Sequence, residues 1–414
     1  MRGLPMVYDF LTLDDVEVEG KRVFLRVDIN SPLDPSTRRI LDDSRIRAVV
    51  DTLKDLEGAR VVLGAHQSRP GSYDFTSLEP HTRVLQMYHR GKVTFIDDIL
   101  GPRAKMAIEA LKPGEVLVLD NLRMVPEENK SMPPEELAKT ELVRSLAPYF
   151  DLVVNDAFAA GHRSQPSLVG FGEVLPMVAG RLMERELRAL NRVLENPARP
   201  CIFVLGGAKV EDRLPVIRRV LRDGIADKVL LGGLVQDPFQ LAMGRMSKRL
   251  ESIDEKGRAH VKEAAELIER YGEHIELPVD LALDVRGERV EVSVEKLTGE
   301  TNIYDVGLNT IARFCHYIKT AGTVVAEGPL GMFERRGFDI GTKEVLRAMA
   351  EAKGFTLVGG GHLGSMASML DLESRMGHVS TGGGAMLTLL AGETMPVIEA
   401  LERAKRRYEG AFTR

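Results

Sequence analysis

The feature that most constrains this chain is a series of short apolar runs with no polar interruption, among them Val61-Val62-Leu63, Val116 to Leu119, Leu152 to Val154 and Cys201 to Leu205. A strand with one wet face alternates apolar and polar residues; an unbroken run is buried on both faces and belongs to a parallel sheet covered by helices. Amphipathic stretches separate the runs, so the expected fold class is α/β, built from doubly wound parallel sheets. With 414 residues the chain is long for one core, and its 44% hydrophobic content can fill two.

The residues at the ends of these runs divide the chain into two halves. In the first half the runs end in charged and polar residues: Asp28 and Asn30, His66 and Arg69, Arg123, then His162 and Arg163, with Arg45 opening a helix nearby. Ligands of parallel sheets collect at the carboxyl ends of strands. One arginine after a strand reads most simply as a solvated loop charge. Four arginines and two histidines at one sheet edge would repel one another unless an anion sat among them, and bidentate guanidinium recognition suits carboxylate or phosphate. Asp28 has two open readings, a turn cap or a group that orients Arg45.

In the second half the runs end in glycine: Gly206-Gly207, Gly232-Gly233, Gly328-Pro329, Gly359-Gly360-Gly361 and Gly382-Gly383-Gly384. Gathered on one edge, such turns let backbone N–H groups face an anion with no Cβ in the way. Ser380 or Thr381 is available to cap the helix after the last turn. If the chain turns helical after Gly207, Lys209 and Arg213 share a face, either as a solvated pair or as phosphate contacts. Glu334 either takes ribose hydroxyls or caps a turn. Gly359 to Gly364 formally matches G-x-G-x-x-G, but a dinucleotide site needs an acidic residue about 20 residues on, where Val379, Ser380 and Thr381 stand. No G-x-x-x-x-G-K-[ST] occurs.

Between the halves, Leu182, Met183, Leu187, Leu190 and Leu194 recur at helical steps and Asn196-Pro197 stops them, which predicts a connecting rod. Cys201 and Cys315 give no disulfide framework. A net charge of -5 argues against a general nucleic-acid binder, and no apolar stretch has the length of a signal peptide or membrane span. The expectation is a soluble cytoplasmic protein.

The segments VDINSPLD, DDSRIRA, AHQSRPG, VLVLDNLR, VNDAFAAGHRSQPS, LGGAKVEDR, LPVD, EGPLGMFE, VGGGH and STGGGA stand in the order and at roughly the spacing of phosphoglycerate kinases. The chain resembles that family over nearly its whole length, and its archaeal branch in particular. The resemblance implies two Rossmann-like domains with a cleft between them: residues 1–177 for 3-phosphoglycerate, an interdomain helix over 178–196, residues 197–395 for nucleotide, and a helix over 396–414 returning to the first domain. It implies reversible phosphoryl transfer between 1,3-bisphosphoglycerate and ADP after hinge closure, with Mg2+ carried by the nucleotide and a monomer as the first expectation, a dimer remaining open.

Carried over by position, Asp28, Ile29, Asn30, Arg45, His66, Gln67, Ser68, Arg69, Arg123, His162 and Arg163 hold the acid. Lys209 and Arg213 face the nucleotide phosphates, Glu334 the ribose, and Gly360, Gly361, His362 and Leu363 the phosphate chain. Gly206, Gly207, Gly232, Gly233, Pro329 and Thr381 complete the nucleotide side, while Arg45, Lys209, Gly382, Gly383 and Gly384 act on the transferring group. This chain departs from the family pattern at Arg213 (usually Lys), Glu327 (usually Asn), Leu234 (usually Gly) and His362 (usually an Asp that contacts Mg2+), so no protein metal ligand is expected. Two other classes remain as alternatives: a two-lobed small-anion-binding protein without chemistry, separated by a kinase assay, and a nicotinamide dehydrogenase, separated by NAD binding.

Overall fold

A computed structural model describes residues 9–246, 248, 253–297, 299, 302–408 and 410. The chain divides into two compact units, Met1–Arg188 with Thr394–Arg414, and Ala189–Glu393. The predicted helix over 396–414 is observed as Pro396–Tyr408, and residues 409 and 411–414 lie outside the described residues.

In the first unit, strands β1 (Arg22–Val27), β2 (Arg60–Gly64), β3 (Val93–Ile96), β4 (Val116–Leu119), β5 (Leu152–Asp156) and β6 (Met177–Ala179) form one sheet in the order β3-β4-β2-β1-β5-β6. Every pairing is parallel. The unbroken runs are therefore the buried strands, and all six carboxyl ends share one edge. Phe24, Phe150 and Phe171 pack on one another beneath it, with Phe24 4.6 Å from Phe171. That cluster explains Gly64, where a methyl group would stand 2.7 Å from the Phe24 ring.

The predicted rod begins later than expected. Val178 and Ala179 pair with Val154 and Asn155 as strand β6, because extended backbone there completes the ladder, and the helix occupies Arg181–Glu195. Its first turn is anchored in the first unit. The Met183 N–H donates to Asp156 Oδ1 at 2.9 Å, the Arg181 N–H to Thr52 Oγ1 at 2.9 Å, and Thr52 to Asp156 Oδ2 at 2.5 Å. These side chains satisfy amides that have no acceptor inside the helix. The carboxyl-terminal helix belongs to the same unit, where Arg403 and Arg407 reach Glu173 at 3.0 and 2.8 Å.

In the second unit, β7 (Cys201–Leu205), β8 (Lys228–Leu231), β9 (Ile275–Glu276), β13 (Thr323–Glu327), β14 (Phe355–Gly359) and β15 (His378–Val379) make a second parallel sheet in the order β15-β14-β13-β7-β8-β9. A feature not anticipated from the sequence is an antiparallel sheet, β11-β10-β12, from Asp280–Val285 (β10), Glu288–Ser293 (β11) and Ile303–Val306 (β12). It braces the loop after β13: the Met332 N–H donates to the Tyr304 carbonyl at 2.6 Å, and Arg289 bonds Asp305 and the Gly337 carbonyl, both at 2.8 Å.

Candidate active site

The carboxyl edge of the first sheet carries the charged residues singled out above. After β1, Asp28 accepts the Asn30 N–H at 3.0 Å and Arg45 Nη1 at 3.2 Å. Arg45 sits on the short helix Ser44–Ala48. Asn30 accepts the Ser68 N–H at 2.9 Å, joining the turn after β1 to the turn after β2. Ser68 holds a φ of 54°, a left-handed conformation costing a β-carbon residue about 1–3 kcal/mol. Three bonds maintain it: to Asn30, to Asp74 Oδ1 at 2.5 Å, and from Arg123 Nη1 to the Ser68 carbonyl. The turn leaves Arg69 exposed.

Arg69, Arg123, His162 and Arg163 line one cavity of about 1050 Å³. Their electrostatics record burial first and mutual repulsion second. Burial, then Arg163, Arg26 and Arg69, pushes Arg123 down to about 10. Burial and Arg69 lower Arg163, while burial and Arg163 lower His162. An anion in the cavity offsets the repulsive part of each of these shifts. Asp28 and Arg45 are not among the cavity's lining residues, although Asp28 is near enough to oppose the lowering of Arg123, His162 and Arg163.

Three of the expected contact residues are buried. Ile29 is fully buried and packs in the core. Gln67 is also fully buried; its oxygen accepts from the Ser31 N–H at 3.0 Å and pairs with His81 at 2.9 Å, and its amide nitrogen donates to the Ser31 and Asp74 carbonyls at 3.0 and 3.3 Å. It braces the turn. His66 is 4% exposed, with Nδ1 2.9 Å from Arg26 Nη2 and Nε2 2.7 Å from Glu128 Oε1. Arginine only donates, so the neutral tautomer protonated at Nε2 satisfies both neighbours. Burial, then Arg26, Arg123 and Arg163, holds this imidazole well below its usual range.

Arg26 and Glu128 were not anticipated, and both are fully buried. Arg26 lies inside β1, where Nε donates to Ser167 Oγ at 2.7 Å and Nη1 to the Val27 carbonyl. Glu128 accepts the Ser167 N–H at 2.9 Å and the Ser167 hydroxyl, and burial pushes its carboxyl up to about 7 against the pull of Arg26. A buried cation survives only when paired and hydrogen-bonded; removing one partner of such a pair costs about 3–5 kcal/mol. Arg26, His66, Glu128 and Ser167 are thus a second layer beneath the arginines.

The carboxyl edge of the second sheet is built differently. Gly206 and Gly207 donate their N–H groups to the Glu327 and Pro329 carbonyls at 2.9 and 2.7 Å; Gly232 and Gly233 donate to Leu205 and Leu330, both at 3.0 Å. These four amides join the turns to one another. Their glycines are required by close approach: a methyl on Gly233 would stand 2.7 Å from the Gly207 nitrogen.

Two turns remain open. Gly360, at φ 83°, precedes the helix Gly361–Met369, whose first internal acceptor is used by the Gly364 N–H; the amides of Gly361, His362 and Leu363 therefore have no acceptor inside the helix. Gly382 precedes Gly383–Leu390, whose first internal bond is made by the Met386 N–H, leaving Gly383, Gly384 and Ala385 likewise. The N-cap is Gly382 itself, not Ser380 or Thr381, and Ser380 Oγ accepts the Gly382 N–H at 3.2 Å. The two openings touch: a methyl on Gly383 would stand 2.5 Å from the Gly360 Cα.

Lys209 is exposed at the N-cap of the helix Val210–Arg222, with ψ 86°, so it does not share a helical face with Arg213. Arg213 is 7% exposed and pairs with the buried Glu327, which the sequence marked only as a departure from the family pattern. Glu334 is exposed on the loop after β13. Its neighbour Phe333 packs 5.3 Å from the His362 ring, joining that loop to the opening at Gly361.

Residues 13–393 match the family model described as phosphoglycerate kinase. The phosphoglycerate kinase of Methanothermobacter thermautotrophicus is 46% identical over 410 residues, covering 98% of this chain and 100% of that protein. That of Methanococcus maripaludis is 47% identical over 413 residues, covering 97% and 100%. Among solved structures, the phosphoglycerate kinase from Pyrococcus horikoshii OT3 superposes with a TM-score of 0.86 at 44% identity, covering 96% of this chain and 100% of that one.

Proposed function

The chain belongs to the phosphoglycerate kinase family, and from that premise we propose how its two sheet edges divide the work of its reaction. The enzyme is a phosphotransferase with a carboxyl acceptor: it moves a phosphoryl group reversibly between 1,3-bisphosphoglycerate and ADP, yielding 3-phosphoglycerate and ATP, in glycolysis and gluconeogenesis.

In our reading the first unit takes the acid. Arg69, Arg123, His162 and Arg163 face its phosphate and carboxylate, and Asp28 and Asn30 set the turn and aim Arg45. The gathering of Arg69, Arg123 and Arg163 around one cavity carries this assignment, because a small polyanion offsets their charge. His66 and Gln67 act indirectly, by holding the turn. The second unit takes the nucleotide, with phosphates at the amides of Gly361 to Leu363 and Gly383 to Ala385, helix N-termini that attract negative charge. Lys209 and Arg213 reach the phosphates from the β7 side; Pro329, Phe333 and Glu334 line the adenosine.

No general base is required. The nucleophile is an ADP phosphate oxygen in one direction and a carboxylate in the other, and both are already anionic. Charge cancellation on the moving phosphoryl oxygens is the need of the transition state. Arg45, Lys209 and the Gly383 and Gly384 amides supply it. Reacting atoms must come within about 3–3.5 Å, so we infer that the units close on their ligands, with the helix Arg181–Glu195 as the lever. Small-angle scattering with both substrates should report compaction; an unchanged radius of gyration sinks that inference.

Mg2+ enters with the nucleotide. Among the described residues no group of three or more His, Cys, Asp or Glu side chains is placed to hold a metal ion, and the imidazole of His362 suits a hard cation poorly. No step is assigned to a protein-held ion. A cytoplasmic monomer is the simplest form for an enzyme of soluble metabolites. The whole reading is tested by steady-state turnover of ATP and 3-phosphoglycerate, measured as bisphosphoglycerate formation.

A further inference from the structure

Arg213 and Glu327 come from segments 114 residues apart and meet inside the second unit, each less than a tenth exposed. Arg213 Nη2 donates to Glu327 Oε2, and Nη1 lies 3.6 Å from the exposed Asp212. Nε, also buried, has no hydrogen-bond partner among the described residues. The other carboxylate oxygen faces both open helix starts: a methyl on Gly360 would stand 2.7 Å from Glu327 Oε1, and one on Gly383 would stand 3.0 Å away. A carboxylate is therefore buried beside the amides assigned to the nucleotide phosphates. A negative charge at an anion site opposes binding unless it serves another purpose, and buried ion pairs contribute little net stability. Its partner is a long, flexible side chain whose guanidinium must be oriented before it can present its remaining donors.

We propose that Glu327 is a positioning residue for the phosphoryl transfer, gripping one corner of the Arg213 guanidinium so that its remaining N–H groups face the phosphates received by the helices Gly361–Met369 and Gly383–Leu390. The proposal deepens the assignment of nucleotide binding to this unit and rests on it. Glu327 acts only through Arg213. The carboxylate keeps the arginine from folding back, and the arginine keeps the carboxylate from repelling the nucleotide.

The test is a double-mutant cycle on the full-length enzyme, with kcat and KM for ADP measured for the wild type, Glu327→Gln, Arg213→Lys and the double variant. Glu327→Gln keeps the shape and removes the charge. It should lower kcat about tenfold while KM for ADP stays within about twofold, the pattern of an interaction expressed in the transition state. Because one residue works through the other, the double variant should be no slower than Arg213→Lys within about twofold, whereas independent roles would multiply. Glu327→Asp, which keeps the charge but withdraws it by one methylene, should recover part of the loss and serves if Glu327→Gln fails to fold. A folded Glu327→Gln with wild-type kcat, or losses that multiply, overturns the proposal. So does a lowered melting temperature with unchanged kcat, which would make the pair structural only. If the wild type itself lacked phosphoglycerate kinase turnover, the underlying functional reading would fall instead, so the two failures are distinguishable.

Discussion

The two sheet edges hold negative charge by opposite means. The first unit uses side chains: its arginines line a cavity, and a buried layer of Arg26, His66, Glu128 and Ser167 lies beneath them. The second uses the backbone: two helices begin at glycines, and their first amides have no acceptor inside the helix. Side chains give direction and number but bring long, flexible groups that must be pinned. Amides come already fixed by the fold, and they demand glycine only where backbones approach closely, as at Gly360 and Gly383. A site made of side chains should therefore fail residue by residue, in kcat or KM, whereas one made of amides should fail through strain.

The sharpest attempt to break this contrast is Arg45→Ala. If Arg45 acts mainly in the transition state, kcat falls by ~10²-fold or more with a smaller change in the KM for 3-phosphoglycerate. Steady-state kinetics decide it, and a raised KM with kcat intact would move Arg45 to a binding role.

Next comes the layer beneath. The folded-state value of Glu128 is about 7, above the usual 4.5. A carboxyl raised on folding adds stability that is fully present below pH about 4.5 and is lost as pH rises through about 7. The stability of the wild type relative to Glu128→Gln should then fall by up to about 3 kcal/mol across that window, as read by urea unfolding at several pH values. A flat difference would show that the network does not bury a titrating charge.

On the other edge, Gly360→Ala forces a β-carbon residue to φ 83° and its methyl to 2.7 Å from Glu327 Oε1. A loss of about 1–3 kcal/mol in stability is expected, together with weaker ADP binding by calorimetry. A neutral result would mean the glycine is not needed for close approach. The smallest effect should come from Arg69→Ala. Arg69 is exposed and screened, so KM for 3-phosphoglycerate should rise about tenfold at unchanged kcat, and less at high salt.

The difference between the edges also explains which features could be read from the sequence. Unbroken runs such as Val61-Val62-Leu63 reveal two-sided burial, and the residues just past each run fall on the ligand edge, because parallel strands place all their carboxyl ends together. Arg26 escaped notice because it interrupts a strand where pattern alone suggests core, and its partners His66 and Ser167 lie 40 and 141 residues away. Glu128 sits in a single 3-10 turn, Pro126–Asn129, with no periodic signature. Gly206 and Gly360 look alike in sequence, yet one amide is tied to a neighbouring turn while the other turn opens a helix; only the three-dimensional partners separate them. The antiparallel sheet was also missed, although its β10–β11 hairpin has a local signal in the two-residue turn Arg286-Gly287, both at positive φ; only the β10–β12 pairing depends on more distant chain.

The buried quartet in the first unit also bears on protein engineering. Arg26, His66, Glu128 and Ser167 belong to four separate stretches of chain, so a chimera that swaps any one stretch between related enzymes carries over a fragment of the network. Crossover points chosen by domain size alone would cut through it; donors matching at all four positions should yield active hybrids far more often than donors matched only at the surface arginines.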